Sequence, residues 1–212
     1  MKLLIFGATG GTGRHLVEQA LQQGHDVTAF VRDPAKLSTA HAKLTVIQGD
    51  VMNAAAVERA MPGHEAVFCA LGSPALKTGT TRSDGTRNII RAMERAEVRR
   101  LICLASLGYG DSRAVVDAAP FYFRFIIAPL FLRRVFAEHA LQEQYIKRSS
   151  LNWTIVRPGN LTDGPHTGTC RHGFPATDRS IKVSISRADV ADFMLRQLAD
   201  DTYLRKTPGL SY

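Results

Sequence analysis

Cysteine and tryptophan are scarce in this sequence, three and one in 212 residues. Cysteines so few, and odd in number, exclude a disulfide framework and fit a reducing compartment. Long apolar runs are missing too. The opening Met1-Lys2-Leu3-Leu4-Ile5-Phe6-Gly7 stops being apolar too soon for a signal peptide. The greasiest stretch, Pro120 to Phe136, is interrupted by Arg124, Pro129, Arg133 and Arg134. It falls short of the ~20 apolar residues a spanning helix needs. Neither secretion nor a membrane is expected, and the chain reads as cytoplasmic. No block of five like charges occurs, although 27 Lys plus Arg against 19 Asp plus Glu leave a net charge of +8. A spread excess of this kind favours a phosphorylated small molecule over nucleic acid. Arg87, Arg91 and Arg95, four apart, read as a solvated helix face, and His25, His41, His64 and His139 as solvated surface positions.

What the chain does have is alternation. Short apolar runs at Lys2–Phe6, Val27–Val31, Leu44–Ile47, Ala66–Leu71, Leu101–Leu104 and Trp153–Arg157 alternate with helix patterns. The helices are expected near residues 11–23, 53–61, 84–96, 135–147 and 187–198, the last opened by the capping box of Ser186 and Asp189. This order implies right-handed crossovers and an α/β, Rossmann-type, doubly wound, mostly parallel sheet with helices on both faces. With no repeat or linker, residues 1–212 are read as one domain. Two irregular segments, 108–132 and 159–180, leave the strands at their carboxyl ends, where open α/β sheets bind ligands. They are expected on the substrate side.

The sharpest motif is Gly7-Ala8-Thr9-Gly10-Gly11-Thr12-Gly13, set between the first strand and the first helix. Glycines there allow a tight turn and close approach of backbone to a pyrophosphate, which the helix N-terminus attracts. Gly7, Thr9, Gly10, Gly11, Thr12 and Gly13 are therefore expected at a dinucleotide. The second strand ends in Val31-Arg32-Asp33 rather than in the acidic residue that would hold the ribose of NAD. Arg32 suits a 2′-phosphate, with Lys36 as a second contact, and Asp33 before Pro34 reads as a helix cap. The cofactor expected is NADP(H).

Together these residues resemble the extended and atypical short-chain dehydrogenase/reductase family, closest to its NmrA-like and flavin- or biliverdin-reductase-like group. The likeness runs over nearly the whole chain. Gly49-Asp50-Val51 resembles the family's adenine-side turn, and Leu71-Gly72 its strand end against the ribose. Thr81 to Ile89 resembles the start of a long helix. Ser106 falls where the family keeps a serine, and Trp153 to Gly159 resembles the strand and turn beside the nicotinamide. The resemblance thus implies cofactor contacts at Asp50, Val51, Leu71, Gly72, Ser106, Arg157, Pro158 and Gly159.

Two departures bear on the chemistry. Carbonyl-reducing members use a Tyr-x-x-x-Lys pair to protonate an alkoxide, and no tyrosine here is followed by lysine at that spacing. Asn160 stands where the biliverdin-reductase-like proteins carry histidine. Without that acid, an acceptor that spreads the added charge over a conjugated system is favoured. The activity expected is NADPH-dependent hydride transfer to a flavin (FMN, as substrate rather than tightly bound cofactor) or a bilin such as biliverdin. The alternative is a non-catalytic NADP-binding redox sensor of the NmrA type, acting through a protein partner.

Ser106 is the candidate catalytic donor. Arg82 and Asn160 are candidate contacts to an aromatic or tetrapyrrole substrate. Phe123 and Phe125, in the apolar stretch, are candidates for a lid over it; the competing readings of that stretch are a subunit interface and, less favoured, a membrane-surface helix. A monomer or a homodimer fits. His166, Cys170 and His172 lack a fourth ligand, so no metal is expected.

Overall fold

The computed structural model describes residues 1–72, 79–117 and 133–212. Its first strand, β1 (Lys2–Phe6), is buried from Leu3 onward, as a strand covered on both faces must be. β1 pairs in parallel with β2 (Asp26–Val31) on one side and β4 (Ala66–Cys69) on the other. β3 (Leu44–Gln48) lies outside β2, and β5 (Arg100–Leu104) and β6 (Asn152–Pro158) follow β4, all parallel. The strand order 3-2-1-4-5-6 is the doubly wound order. Beyond β6 the sheet continues with β10 (Gly209–Ser211), parallel, and β8 (Arg171–His172), antiparallel. β7 (Asn160–Thr162) and β9 (Ser184–Ser186) form a separate parallel pair.

Alternate residues of β1 feed two cores. Leu3 and Ile5 pack with Leu16, Val17 and Ala20 of α1 (Gly11–Gln22) and Val190 and Met194 of α6 (Arg187–Arg196). Leu4 and Phe6 pack on the other face. There they meet Val57 of α2 (Ala54–Ala60), Ile89 and Met93 of α3 (Thr81–Arg95), and Ile146 of α5 (Arg133–Arg148). A short turn of helix, α4 (Ala114–Asp117), follows β5. Cys69 and Cys103 sit side by side in the register of β4 and β5, fully buried.

The fold differs from the sequence reading mainly at element ends. β4 stops at Cys69, so Leu71 and Gly72 lie beyond the strand, and α3 starts three residues early, at Thr81. The segment expected to be irregular after Gly159 holds β7 and β8. Strands of two or three residues are too short for any periodicity to register. Their pairing depends on partners far along the chain, Asn160 with Ser184 and His172 with Leu210.

Candidate functional site

A cleft of about 1440 Å³ opens beyond the carboxyl ends of β1, β4, β5 and β6. At its centre is the glycine loop. Gly7 has φ +81°, and a Cβ there would lie 2.3 Å from the Ala70 carbonyl oxygen; one on Gly13 would lie 2.0 Å from that of Gly7. A side chain at Gly7 would collide with the backbone beyond β4, and one at Gly13 would push α1 away from the end of β1. The loop closes with the Gly10 amide donating to the Gly7 carbonyl at 2.9 Å. No side chain caps the first turn of α1, whereas Asn53 and Ser186 cap α2 and α6. That leaves a bare, positively polarised helix end facing the cleft, a cradle that fits a diphosphate.

One wall comes from Phe30, Val31, Arg32, Gly49 and Val51, with Leu71 and Gly72 opposite. α3 is held to this wall by Asn88, whose Nδ2 donates to the Val51 carbonyl at 2.9 Å. Arg32 is exposed at the strand tip and has no ion-pair partner among the described residues. Asp33 caps the following turn, accepting from the Ala35 amide, and pairs with Lys36 at 3.5 Å. Lys36 and Asp50, both expected at the cofactor, do not line the cleft. The Asp50 carboxylate turns inward on its own loop to accept from the Met52 amide at 2.9 Å.

At the other end Ser106, Leu107 and Gly108 follow β5, and Pro158, Gly159 and Asn160 follow β6. The two strand ends are stitched by the Leu107 amide donating to the Pro158 carbonyl at 2.9 Å. Among the described residues the Ser106 hydroxyl bonds the Leu107 carbonyl alone, at 3.0 Å. Thr81 and Arg82 of α3 and Val135, Phe136 and His139 of α5 complete this end. Among the described residues lining the cleft there is neither a tyrosine nor a lysine. Phe123 and Phe125, with most of the apolar stretch, lie outside the described residues.

Two side chains sit differently from their sequence reading. Arg157, expected beside the nicotinamide, is 3% exposed and points into an internal network. Its Nε and Nη2 donate to the two oxygens of Glu143 at 2.7 and 2.6 Å, and it also pairs with Asp111. Tyr109 donates its hydroxyl to the same Glu143 at 2.5 Å, and Lys147 pairs with it at 3.0 Å. Burial alone would raise the Glu143 carboxyl, but the hydrogen bonds from Arg157 and Tyr109 hold it below the ordinary carboxylate range. The same burial, with that carboxylate alongside, pushes the Tyr109 phenol well up.

His139, read as solvated, is 6% exposed, stacked on Tyr109 with ring centroids 5.6 Å apart. Burial, and then the charge of Arg82, lower its pKa to about 3, so the ring is neutral. Arg82 itself is 8% exposed.

The family model for NAD(P)H-binding proteins matches residues 7–201, the glycine loop through α6. The chain belongs to the NAD(P)H-binding family. An uncharacterized chloroplastic protein of Arabidopsis thaliana is 32% identical over 94% of this chain and 72% of its own length. Several longer curated relatives are covered less far, between 26% and 61% of their length. Among solved structures, a short-chain dehydrogenase/reductase of Veillonella parvula in complex with NADP superposes with a TM-score of 0.80 at 20% identity, covering 100% of this chain and 94% of that one. ChuY, an anaerobillin reductase of Escherichia coli O157:H7, is 25% identical with a TM-score of 0.76, covering 99% and 96%. The chain is thus an NAD(P)H-binding protein with the fold of short-chain reductases, and its glycine cradle fits that cofactor.

Within this family frame one cofactor-side residue escapes the sequence motif. Arg187, at the start of α6, lays its side chain across Gly11, where a Cβ would be 2.5 Å from its Cδ. It lines the cleft and pairs with Asp163 at 2.6 Å. Nothing local in Ser186-Arg187-Ala188-Asp189 distinguishes it from a first-turn residue of a capped helix. No described helix is long and apolar enough to cross a membrane. Among the described residues, no group of three His, Cys, Asp or Glu is placed to hold a metal ion.

Proposed function

We propose that this protein is an NADPH-dependent reductase that passes hydride to a conjugated acceptor, a flavin such as FMN or a bilin such as biliverdin. The observation that carries this reading is the acceptor end of the cleft, lined among the described residues by Ser106, Val135, Phe136, neutral His139 and Asn160, with neither a tyrosine nor a lysine among them. Such a site has no strong acid to protonate an alkoxide. A ring system that delocalises the incoming charge can gain its proton from water. ChuY, an anaerobillin reductase, supports this choice of class.

The roles divide along the cleft. Gly7, Gly10, Gly11, Thr12 and Gly13, with Thr9, take the diphosphate through backbone N–H groups. Arg32 takes the 2′-phosphate, giving the preference for NADPH. Val51, Leu71 and Gly72 border the adenosine half, and Pro158 and Gly159 the nicotinamide. NADPH, when bound, supplies the hydride. The Ser106 hydroxyl, which donates to the neighbouring Leu107 carbonyl, orients the reacting groups, and Asn160 and Arg82 hold the acceptor. Holding the two reactants in contact is the main rate contribution available to such a site. The test is NADPH consumption with FMN, biliverdin and a simple ketone. Consumption with either conjugated acceptor but not the ketone is expected. Tight NADPH binding without any consumption would favour the sensor reading instead.

A further inference from the structure

Two buried polar atoms on residues at the acceptor end, Arg82 Nε and His139 Nδ1, have no hydrogen-bond partner among the described residues. Buried polar atoms are nearly always paired, so orphans on two residues that line one cleft point to a ligand. Here two orphans belong to side chains that line the same cleft and are less than one-tenth exposed. Their placement is fixed by the packing of α3 on α5. Ser83 donates to Glu138 from its hydroxyl at 2.9 Å and from its amide at 3.3 Å. That contact lies between the residues next in sequence to both, and leaves Arg82 and His139 on the cleft side.

We propose that Arg82 and His139 form a two-point subsite for an oxyanion carried by the acceptor, a carboxylate or a phosphate, so that the substrate is an anionic conjugated molecule. This rests on the reductase reading for what occupies the cleft. Arg82 supplies the charge and His139 a neutral N–H, since its ring does not take up a proton in the ordinary range. Glu138, the carboxylate acting on Arg82, is committed to Ser83. The described charged residues lining the cleft are Arg32, Arg82, Arg179 and Arg187 against Asp178 alone. Arg32 and Arg187 lie at the cofactor's phosphates, which leaves Arg82 as the buried cation at the acceptor end. The same reading explains a buried cation kept without a bonded counter-ion among the described residues. Such a group is costly alone and favourable once an anion docks.

The experiment is binding without turnover. Protein saturated with NADP⁺ is titrated with biliverdin and its dimethyl ester, and with FMN and riboflavin, following acceptor absorbance or fluorescence. The charged member of at least one pair should bind at least about tenfold more tightly, the scale of one charge-assisted hydrogen bond. Which pair discriminates tells carboxylate from phosphate. Arg82→Gln should abolish the difference, Arg82→Lys should restore part of it, and His139→Gln should reduce it, with NADPH affinity unchanged in all three as the check on folding. Equal binding within both pairs, a preference that survives Arg82→Gln, or no binding of any of the four compounds would overturn the proposal. Retained charge discrimination in a protein that never consumes NADPH would leave the subsite standing and refute the reductase reading.

Discussion

Glu143 and Arg157 form a bidentate ion pair inside the protein, each side chain 4% exposed, with nitrogen–oxygen distances of 2.7 and 2.6 Å. The pair ties α5 to the end of β6, the two elements that frame the acceptor end. Removing one partner strands a buried charge. Arg157→Met should therefore destabilise the fold by about 3–5 kcal/mol, and Glu143→Gln by less, because the amide still accepts from Arg157 and Tyr109. Urea denaturation with NADPH absent reads both. A loss below about 1 kcal/mol for Arg157→Met would mean the network is far more hydrated than its exposure indicates.

His139 should make the protein acid-sensitive in a defined window. Its native pKa, lowered to about 3, lies below the value near 6.5 it has in an unfolded chain. The unfolded state therefore takes up the proton first, and its stabilising share, complete above pH 6.5, is lost as pH falls towards 3. The slope is about 1.4 kcal/mol per pH unit at most. Asp189, held at about 2 by hydrogen bonds from Tyr212 and Thr167 that outweigh its burial, acts only below the ordinary aspartate value. Between pH 6.5 and 5, His139→Gln should lose up to about 2 kcal/mol less stability than the parent. Parallel slopes in denaturation at stepped pH would contradict it.

Arg187 should act on the cofactor, not on the acceptor. Its guanidinium is shared between Asp163, 89% exposed, and the space above Gly11. Arg187→Ala should weaken NADPH and NADH alike by about 5–50-fold, since both carry the diphosphate. Asp163→Asn should tighten both by a smaller factor, by freeing the cation. Fluorescence titration at two salt concentrations measures this, and an Arg187→Ala protein with the parent's affinities would place the residue outside the site.

Arg32 should decide between the two cofactors. One charge-assisted hydrogen bond of about 1.5–3 kcal/mol corresponds to roughly 10–150-fold in affinity. Arg32→Ala should lose most of the preference for NADPH while NADH binding stays within about twofold of the parent. Equal affinities of the parent protein for the two would remove Arg32 from the 2′-phosphate.

The alternation of strands and helices and the glycine cradle were legible because both are written in local stretches of sequence. β1 is a continuous apolar run, and Gly7 to Gly13 follows it directly. The buried face of α5 was not legible as such, because it is built from His139, Gln142, Glu143 and Ile146. These recur at helical spacing, but polarity hides a core-facing stripe from any reading of hydrophobic periodicity. Arg157 misled for a related reason: its place beside Pro158 and Gly159 resembles a cofactor turn, while its side chain finds Glu143, fourteen residues back. Arg187 meets Gly11 only through the packing of α6 on α1.

The central claim is hydride transfer to a conjugated acceptor, and rapid mixing tests it most directly. Protein loaded with NADPH is mixed without oxygen with biliverdin or FMN, and the nicotinamide and acceptor spectra are followed together. The expected result is loss of both absorbances at one rate, slowed when the transferring hydrogen of NADPH is deuterium and slowed about 5–150-fold by Ser106→Ala, the effect of one orienting hydrogen bond of ~1–3 kcal/mol. A nicotinamide spectrum that stays constant with every such acceptor, while NADPH remains bound, would contradict it.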